Sequence, residues 1–170
     1  MTEPVSVAQP LDAVSFRNTL GCFATGVTVA TTRDSGGRPV GLTVNSFTSV
    51  SLDPPLILFC VDRSARAYPS FAQAQACAIN VLGEGQQELS ERFATSLVDP
   101  WPGLTLERWV TGAPIIVGCL AILDCRVEAV HEGGDHVILV AEVLRLGYAG
   151  SGRPLLFYRG DYCKVGPHQD

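Results

Sequence analysis

Two long, β-branched, apolar stretches, Ile115–Val130 and His136–Tyr148, flank the tripeptide Gly133-Gly134-Asp135. This pattern constrains the chain more than any other. Glycine and aspartate between two such runs supply tight-turn chemistry, so the stretches predict a long antiparallel hairpin. The rest of the chain offers further strands to join it. Gly26–Thr32 is β-branched, and the turn residues Asp34–Pro39 lead into a second strand over Val40–Ser51 that runs into a bend and that Pro54-Pro55 breaks. Leu56–Val61 is continuously apolar, the pattern of a strand buried on both faces or central in a barrel. Cys77–Leu82 is a further strand. Leu155–Tyr158 and Tyr162–Val165 form a last hairpin around Arg159-Gly160-Asp161. Short helices are predicted over Leu11–Cys22, over Arg66–Ala76 with Pro69 in its first turn, and over Gln86–Ala94 with Leu89 and Phe93 one turn apart. Ser96–Ala113 reads as an irregular loop anchored by Trp101 and Trp109. The strands do not alternate with helices, which argues against a doubly wound parallel sheet. A closed antiparallel barrel removes exposed sheet edges and is the expected architecture.

Composition narrows the function classes. A chain of 170 residues suits one domain. Hydrophobic residues at 46% against 17% charged exclude a disordered chain. The net charge of -5 argues against a nucleic-acid coat, which needs a basic face. Lys164 is the only lysine, so Schiff-base chemistry has a single candidate, close to the C-terminus. Cys22, Cys60, Cys77, Cys119, Cys125 and Cys163 contain no C-x-x-C pair, and most lie in apolar runs as expected of buried, reduced thiols. The opening MTEPVSVAQP lacks a basic start followed by an apolar block, and Ala113–Leu123 is too short to span a bilayer. The reading is a cytoplasmic protein with neither a membrane nor a nucleic acid as partner.

Several motifs fail on chemistry. Gly21–Thr28 has P-loop glycine spacing but carries Val27 where the lysine belongs, and it continues as a strand. No G-x-G-x-x-G or G-x-S-x-G is present. His131 and His136 lie across the predicted turn without a third ligand at suitable spacing, so no metal site is expected. Two clusters stand out instead. Thr43, Asn45, Ser46, Thr48, Ser49 and Ser51 crowd hydroxyl and amide groups into one stretch. They are either a solvated edge strand or a wall that hydrogen-bonds a planar heteroaromatic ligand. Asp62-Arg63-Ser64-Ala65-Arg66 puts two guanidinium groups and a hydroxyl before a predicted helix, which suits phosphate, although the same residues also serve as ordinary solvated charges.

In order along the chain stand FATGVTVATT from Phe23, GLTVNSFTSVSLDPP from Gly41, RSARAYPSF from Arg63, CAINVL from Cys77, ERF from Glu91, GDH from Gly134 and PLLFYRGDY from Pro154. Together they resemble the short-chain flavin reductases, the reductase components of two-component flavin-dependent monooxygenases. The resemblance implies a mainly β fold with a few short helices, the FMN-binding split barrel of antiparallel Greek-key type, over residues 14–166 after a flexible tail at 1–13. It implies an NADH-dependent reductase that reduces FAD, with FMN and NADPH as possible substitutes, and passes reduced flavin by diffusion to a separate monooxygenase. It also implies a homodimer. Thr43, Val44, Asn45, Ser46, Phe47, Thr48, Ser51 and Leu52 would line the flavin ring. Cys60, Val61, Asp62, Arg63, Ser64, Ala65 and Arg66 would lead to the phosphate. Phe93 would pack near the flavin, Tyr158 and Tyr162 would close the site, and His136 would contact the nicotinamide. No residue is assigned as acid or base. The alternatives are a flavin-holding electron carrier without nicotinamide turnover and a pyridoxamine-phosphate-type oxidase, the latter disfavoured by the few basic residues.

Overall fold

The computed structural model describes residues 11–95 and 99–166, so most of the expected tail, residues 1–10, lies outside the described residues. Asp12 starts the first helix. Its carboxylate accepts the N–H groups of Val14 and Ser15 at 2.9 and 2.8 Å, two of the donors that a helix start leaves unpaired. The bonds to Ser15 and Val14 hold the Asp12 carboxyl below its ordinary range. Helix α1 (Ala13–Leu20) follows, then β1 (Thr25–Gly26), β2 (Thr28–Arg33), β3 (Pro39–Val44), β4 (Thr48–Leu52) and β5 (Pro55–Asp62). Next come α2 (Tyr68–Ala72), β6 (Ala76–Val81), α3 (Gln87–Ala94), β7 (Leu106–Arg108) and β8 (Pro114–Ile116). The long strands β9 (Ala121–Gly133) and β10 (His136–Tyr148) precede the closing pair β11 (Leu156–Tyr158) and β12 (Asp161–Cys163).

The main sheet has the order β3-β2-β6-β9-β10-β5-β4, and all its pairs are antiparallel. Its two edge strands, β3 and β4, are consecutive in the chain, with Asn45-Ser46-Phe47 between them. So short a link spans at most about 14 Å, and the two edges must therefore meet. The sheet rolls into a barrel. The long hairpin makes the roll: β9 pairs with β6 through its first half, and β10 pairs with β5 through its first half. Register shifts at Val140/Ala141 and Val143/Arg145 bend the pair between these partners.

Side chains alternate as the pleat requires. Ile57, Phe59 and Val61 of β5 and Val137, Leu139 and Ala141 of β10 fill the barrel with Ile79 and with Phe71 from α2. A second cluster, with Val29, Leu82, Leu89, Phe93 and Leu155, lies under α3. Asn80, fully buried on β6, ties the outer strands to the barrel. Its Oδ1 accepts the Ile116 N–H at 2.8 Å, and its Nδ2 donates to the Val29 carbonyl at 3.0 Å and to Thr31 Oγ1 at 3.3 Å.

Three expectations need correction, and one alternative is decided. Val40–Ser51 is not one strand but two, β3 and β4, on opposite edges of the sheet. Of the two readings of Leu56–Val61 the barrel strand holds: β5 lies between β10 and β4 with one face inward, and its outer residues remain half-exposed. The helix expected over Arg66–Ala76 is only Tyr68–Ala72, since it buries a single side chain, Phe71, and Gln73 leaves helical geometry. Ile115–Val130 is interrupted after Ile116, and β8 pairs with β7 inside the segment expected to be an irregular loop. Among the described residues no helix is long and apolar enough to cross a membrane.

All six cysteines are free thiols. Cys77 and Cys125 face each other in register and are fully buried; their mutual hydrogen bond and burial push the Cys77 thiol well up. Burial pushes the Cys119 thiol up to about 11. Only the thiolate alkylates. Brief iodoacetamide treatment at neutral pH should therefore modify exposed Cys22 and leave Cys77, Cys119 and Cys125 intact until denaturant is added. Peptide mass mapping checks this, and equal labelling of all six would contradict it.

Candidate functional site

The barrel is split along one seam. β4 covers β5 only from Pro55 to Leu58, so Phe59–Asp62 has β10 on one side and no strand on the other. Across that opening lies the free edge of β3. Ser46 stitches one end: its hydroxyl accepts the Cys60 N–H at 2.9 Å, a donor that would otherwise pair with a strand. Ser46→Ala leaves that N–H without an acceptor, which costs about 1–2 kcal/mol. The melting temperature should fall by roughly 3–6 °C, and an unchanged midpoint would show that the stitch carries no energy.

Beyond the stitch, the seam widens into a groove of about 1030 Å³. One wall is β3 from Pro39 to Thr43, the other is the turn Asp62–Ala67, and the end of α3 with Trp101 closes one flank. Gly41 makes room for this arrangement. A Cβ there would lie 2.8 Å from Cε1 of Phe93, so the ring sits directly over the glycine. Phe93 in turn meets Trp101 edge-on, with centroids 4.9 Å apart. Thr43 Oγ1 donates to the Ser90 carbonyl at 2.6 Å and fixes α3 against β3. Gly41→Val would force Phe93 away and fill the groove. It should cost about 1–3 kcal/mol of stability and abolish ligand binding, measurable by thermal melting and flavin titration.

The opposite wall is a polar turn. Asp62 Oδ1 accepts both the N–H and the hydroxyl of Ser64 at 2.7 Å, and the Asp62 carbonyl accepts the Ala65 N–H at 3.0 Å. The Ser64 bonds, with a smaller contribution from nearby His136, hold the Asp62 carboxyl below its usual range. A depressed carboxyl supports the folded turn above its ordinary value of 3.8 and loses that support as pH falls through the lowered value. Through neutral pH that support is therefore fully present. Arg66 lines the groove, is exposed, and has no ion pair or hydrogen bond among the described residues. Arg63 differs. It pairs with Glu132, donates to the Tyr68 hydroxyl at 3.3 Å, and lies over that ring at 5.7 Å.

Of the residues singled out in the sequence, Thr43, Asp62, Ser64, Ala65, Arg66 and Phe93 come together in the groove. Val44 and Val61 point into the barrel core, which leaves only their backbone for a ligand. Asn45 and Phe47 cross the seam with Ser46, and Cys60 is held by that stitch. Thr48, Ser51 and Leu52 lie along the edge strand β4; Ser51 accepts the Asp53 N–H, and Leu52 is almost fully exposed. Tyr162 reaches the site through α3, its hydroxyl 2.8 Å from Ser90 Oγ, whereas Tyr158 is outside, under the Arg159 guanidinium. His136 stands opposite Asp62 in register, with Nδ1 2.7 Å from Asp135. Gly41 and Trp101 are among the groove residues that the sequence reading did not name as site residues. A glycine inside a strand is a signal of close approach, and that signal was there to find the first.

Residues 20–166 match the model of the flavin reductase like domain. The chain is 41% identical over 160 residues to the flavin-dependent monooxygenase reductase subunit HsaB of Rhodococcus jostii, covering 94% of this chain and 82% of that protein. It is 47% identical to the FMN reductase (NADH) SmoA of Agrobacterium fabrum, covering 87% and 83%. Among solved structures it resembles the NADH:FAD oxidoreductase SgcE6 of Streptomyces globisporus, in complex with NAD and FAD fragments. There the TM-score is 0.90 at 36% identity, covering 98% of this chain and all of the other.

Proposed function

Because the chain belongs to the flavin reductase like family, we propose that it is an NADH-dependent flavin reductase that supplies reduced flavin to a separate monooxygenase. The observation that carries this reading is the groove in the barrel seam, with Arg66, which has no ion pair or hydrogen bond among the described residues, beside Ser64 on one wall and the free edge of β3 on the other. These residues fit a flavin. The free edge of β3 offers backbone hydrogen-bonding groups to a ring edge, and Arg66 with Ser64 offers charge-assisted donors to a phosphate.

A bound flavin would supply the redox chemistry, with a nicotinamide cofactor as hydride source. The chain's part is to position and to shield. The unpaired edge of β3 presents backbone groups to a ring edge, Thr43 holds α3 as a fixed wall, and Arg66 anchors the phosphate so that the ring has one orientation. His136, opposite Asp62 at the mouth of the polar turn, is proposed to orient the nicotinamide. No residue is assigned as acid or base; the chain would contribute by holding flavin and nicotinamide in one mutual orientation.

We also place the protein in a homodimer. Leu11, Val14, Phe16, Leu20 and Phe23 on and beside α1 are each more than half exposed, a patch that single copies rarely leave uncovered. Light scattering should give twice the chain mass of 18.1 kDa, and Phe16→Asp combined with Phe23→Asp should give the monomer.

The reductase reading is tested by following NADH consumption by the purified chain without flavin, then with FAD, then with FMN. Turnover that saturates with added flavin is expected. A yellow protein inert to NADH and NADPH under all three conditions would overturn the reading in favour of a flavin carrier.

A further inference from the structure

The turn that follows α3 lies on the surface, with Asp99, Pro102 and Gly103 exposed and Gly103 at a φ of 80°. Surface turns are ordinarily among the more mobile parts of a fold. This one is tied at several points. Asp99 Oδ1 accepts the Trp101 N–H at 3.3 Å, and the Trp101 carbonyl accepts the Leu104 N–H at 3.1 Å. Arg92 adds a clamp. Its Nη2 donates to the Pro100 carbonyl and, at 2.7 Å, to the Pro102 carbonyl, the two residues that flank Trp101. Arg92 stands in the last turn of α3, where a cation usually serves the helix's own final carbonyls. Its hydrogen bonds go to the next turn instead, and it has no ion pair among the described residues. The side chain held between the two carbonyls is a groove wall. Trp101 meets Phe93 edge-on with centroids 4.9 Å apart, and both line the groove, whereas Arg92 does not. The indole is half-buried, and its N–H has no partner among the described residues. Stability alone would be better served by burying the ring and pairing that donor.

We propose that Arg92 is a positioning residue for flavin reduction, acting by fixing Trp101 as a rigid flank of the groove against which the bound ring is aligned. The inference rests on the reductase reading and deepens it. Arg66 sets which way a bound flavin points, but a ring held from its phosphate end can still slide sideways in an open groove. A rigid aromatic flank stops that slide, and a misplacement of about 1 Å is enough to slow a reaction between two bound groups severely. The effect of Arg92 passes entirely through Trp101.

The test compares the full wild-type chain with three variants and one combination. Arg92→Met keeps an unbranched stem and removes the donors. Arg92→Lys carries an ammonium that can bridge the same two carbonyls. Trp101→Ala removes the flank, alone and together with Arg92→Met. Visible circular dichroism of bound FAD and of bound FMN reads whether the ring sits in one fixed environment, and kcat and KM for NADH are measured at saturating flavin. Arg92→Met should lose most of the flavin dichroism and lower kcat about tenfold, with flavin affinity and the KM for NADH changed by less than about threefold. Arg92→Lys should recover most of both signals. The combined variant should match Trp101→Ala, because the two residues act as one unit. In a Trp109→Phe background Trp101 is the only tryptophan, and its emission anisotropy should fall in Arg92→Met. The proposal is overturned if Arg92→Met lowers the melting temperature but keeps kcat and the flavin dichroism, the outcome of a purely structural tie. It is equally overturned if Trp101→Ala keeps both, a result that decides the matter even where Arg92→Met does not fold. Unchanged anisotropy, or a combined variant about tenfold slower than Trp101→Ala, would also overturn it. Wild type that binds flavin without oxidising NADH would sink the reductase reading instead, and the flavin dichroism of the variants would still decide the clamp.

Discussion

Replacing Arg66 by alanine is expected to raise the dissociation constant for flavin by about ten- to a hundredfold, the loss of one charge-assisted contact worth roughly 1.5–3 kcal/mol. The melting temperature of the ligand-free chain should not move, because this side chain is exposed and has no ion pair or hydrogen bond among the described residues. The same substitution at Arg63 should behave in the opposite way. That residue is bound to Glu132 and Tyr68, so Arg63→Ala should lower stability modestly and change flavin affinity little. Fluorescence titration and thermal melting of both variants decide the matter. Equal loss of affinity at the two positions would mean that the phosphate is held at the tip of the long hairpin and not in the groove.

Asn80→Ala should be the most damaging single change to stability among those considered. It removes the acceptor for the Ile116 N–H and the donors for the Val29 carbonyl and Thr31 Oγ1, all of them buried. With some of these groups left without partners and a small cavity opened, the cost is about 3–5 kcal/mol. For a chain of this size that lowers the melting temperature by roughly 8–15 °C. The effect has a local signature, since the Ile116 amide should exchange with solvent much faster than the amides at the centre of β10. A fall in stability without selective exposure of Ile116 would show that Asn80 acts by filling space and not by tying β8 to the barrel.

Both expectations turn on distinctions that local sequence carries unevenly. Hairpins such as β2–β3 and β9–β10 were legible because turn chemistry and strand periodicity act over a few residues. Helix α3 was legible for the same reason, since Leu89 and Phe93 repeat at helical spacing and both are buried. The Asx-type turn at Asp62 and Ser64 also lies within a short window. Val40–Ser51 misled, because its strand-like composition runs without glycine or proline across Asn45-Ser46-Phe47, where the chain passes from one edge of the sheet to the other. Nothing local marks that passage. The inward aim of Val44 and Val61 was equally hidden, since the face a strand residue occupies follows from pairing register.

The amino-acid sequence by itself determined the strands, most of their turns, the antiparallel class and the residues rich in hydrogen-bonding groups, because each depends on backbone preference and periodicity between near neighbours. It also carried the ordered motifs by which the family is known. The tertiary structure alone decided which stretch of β5 stays uncovered, which of two similar arginines has no ion pair or hydrogen bond among the described residues, and that Ser46 is spent on closing the seam. Those outcomes depend on the register accumulated across seven strands and on Glu132 arriving beside Arg63 from a distant hairpin. Barrel closure is a property of the whole sheet, and no short window of residues contains it.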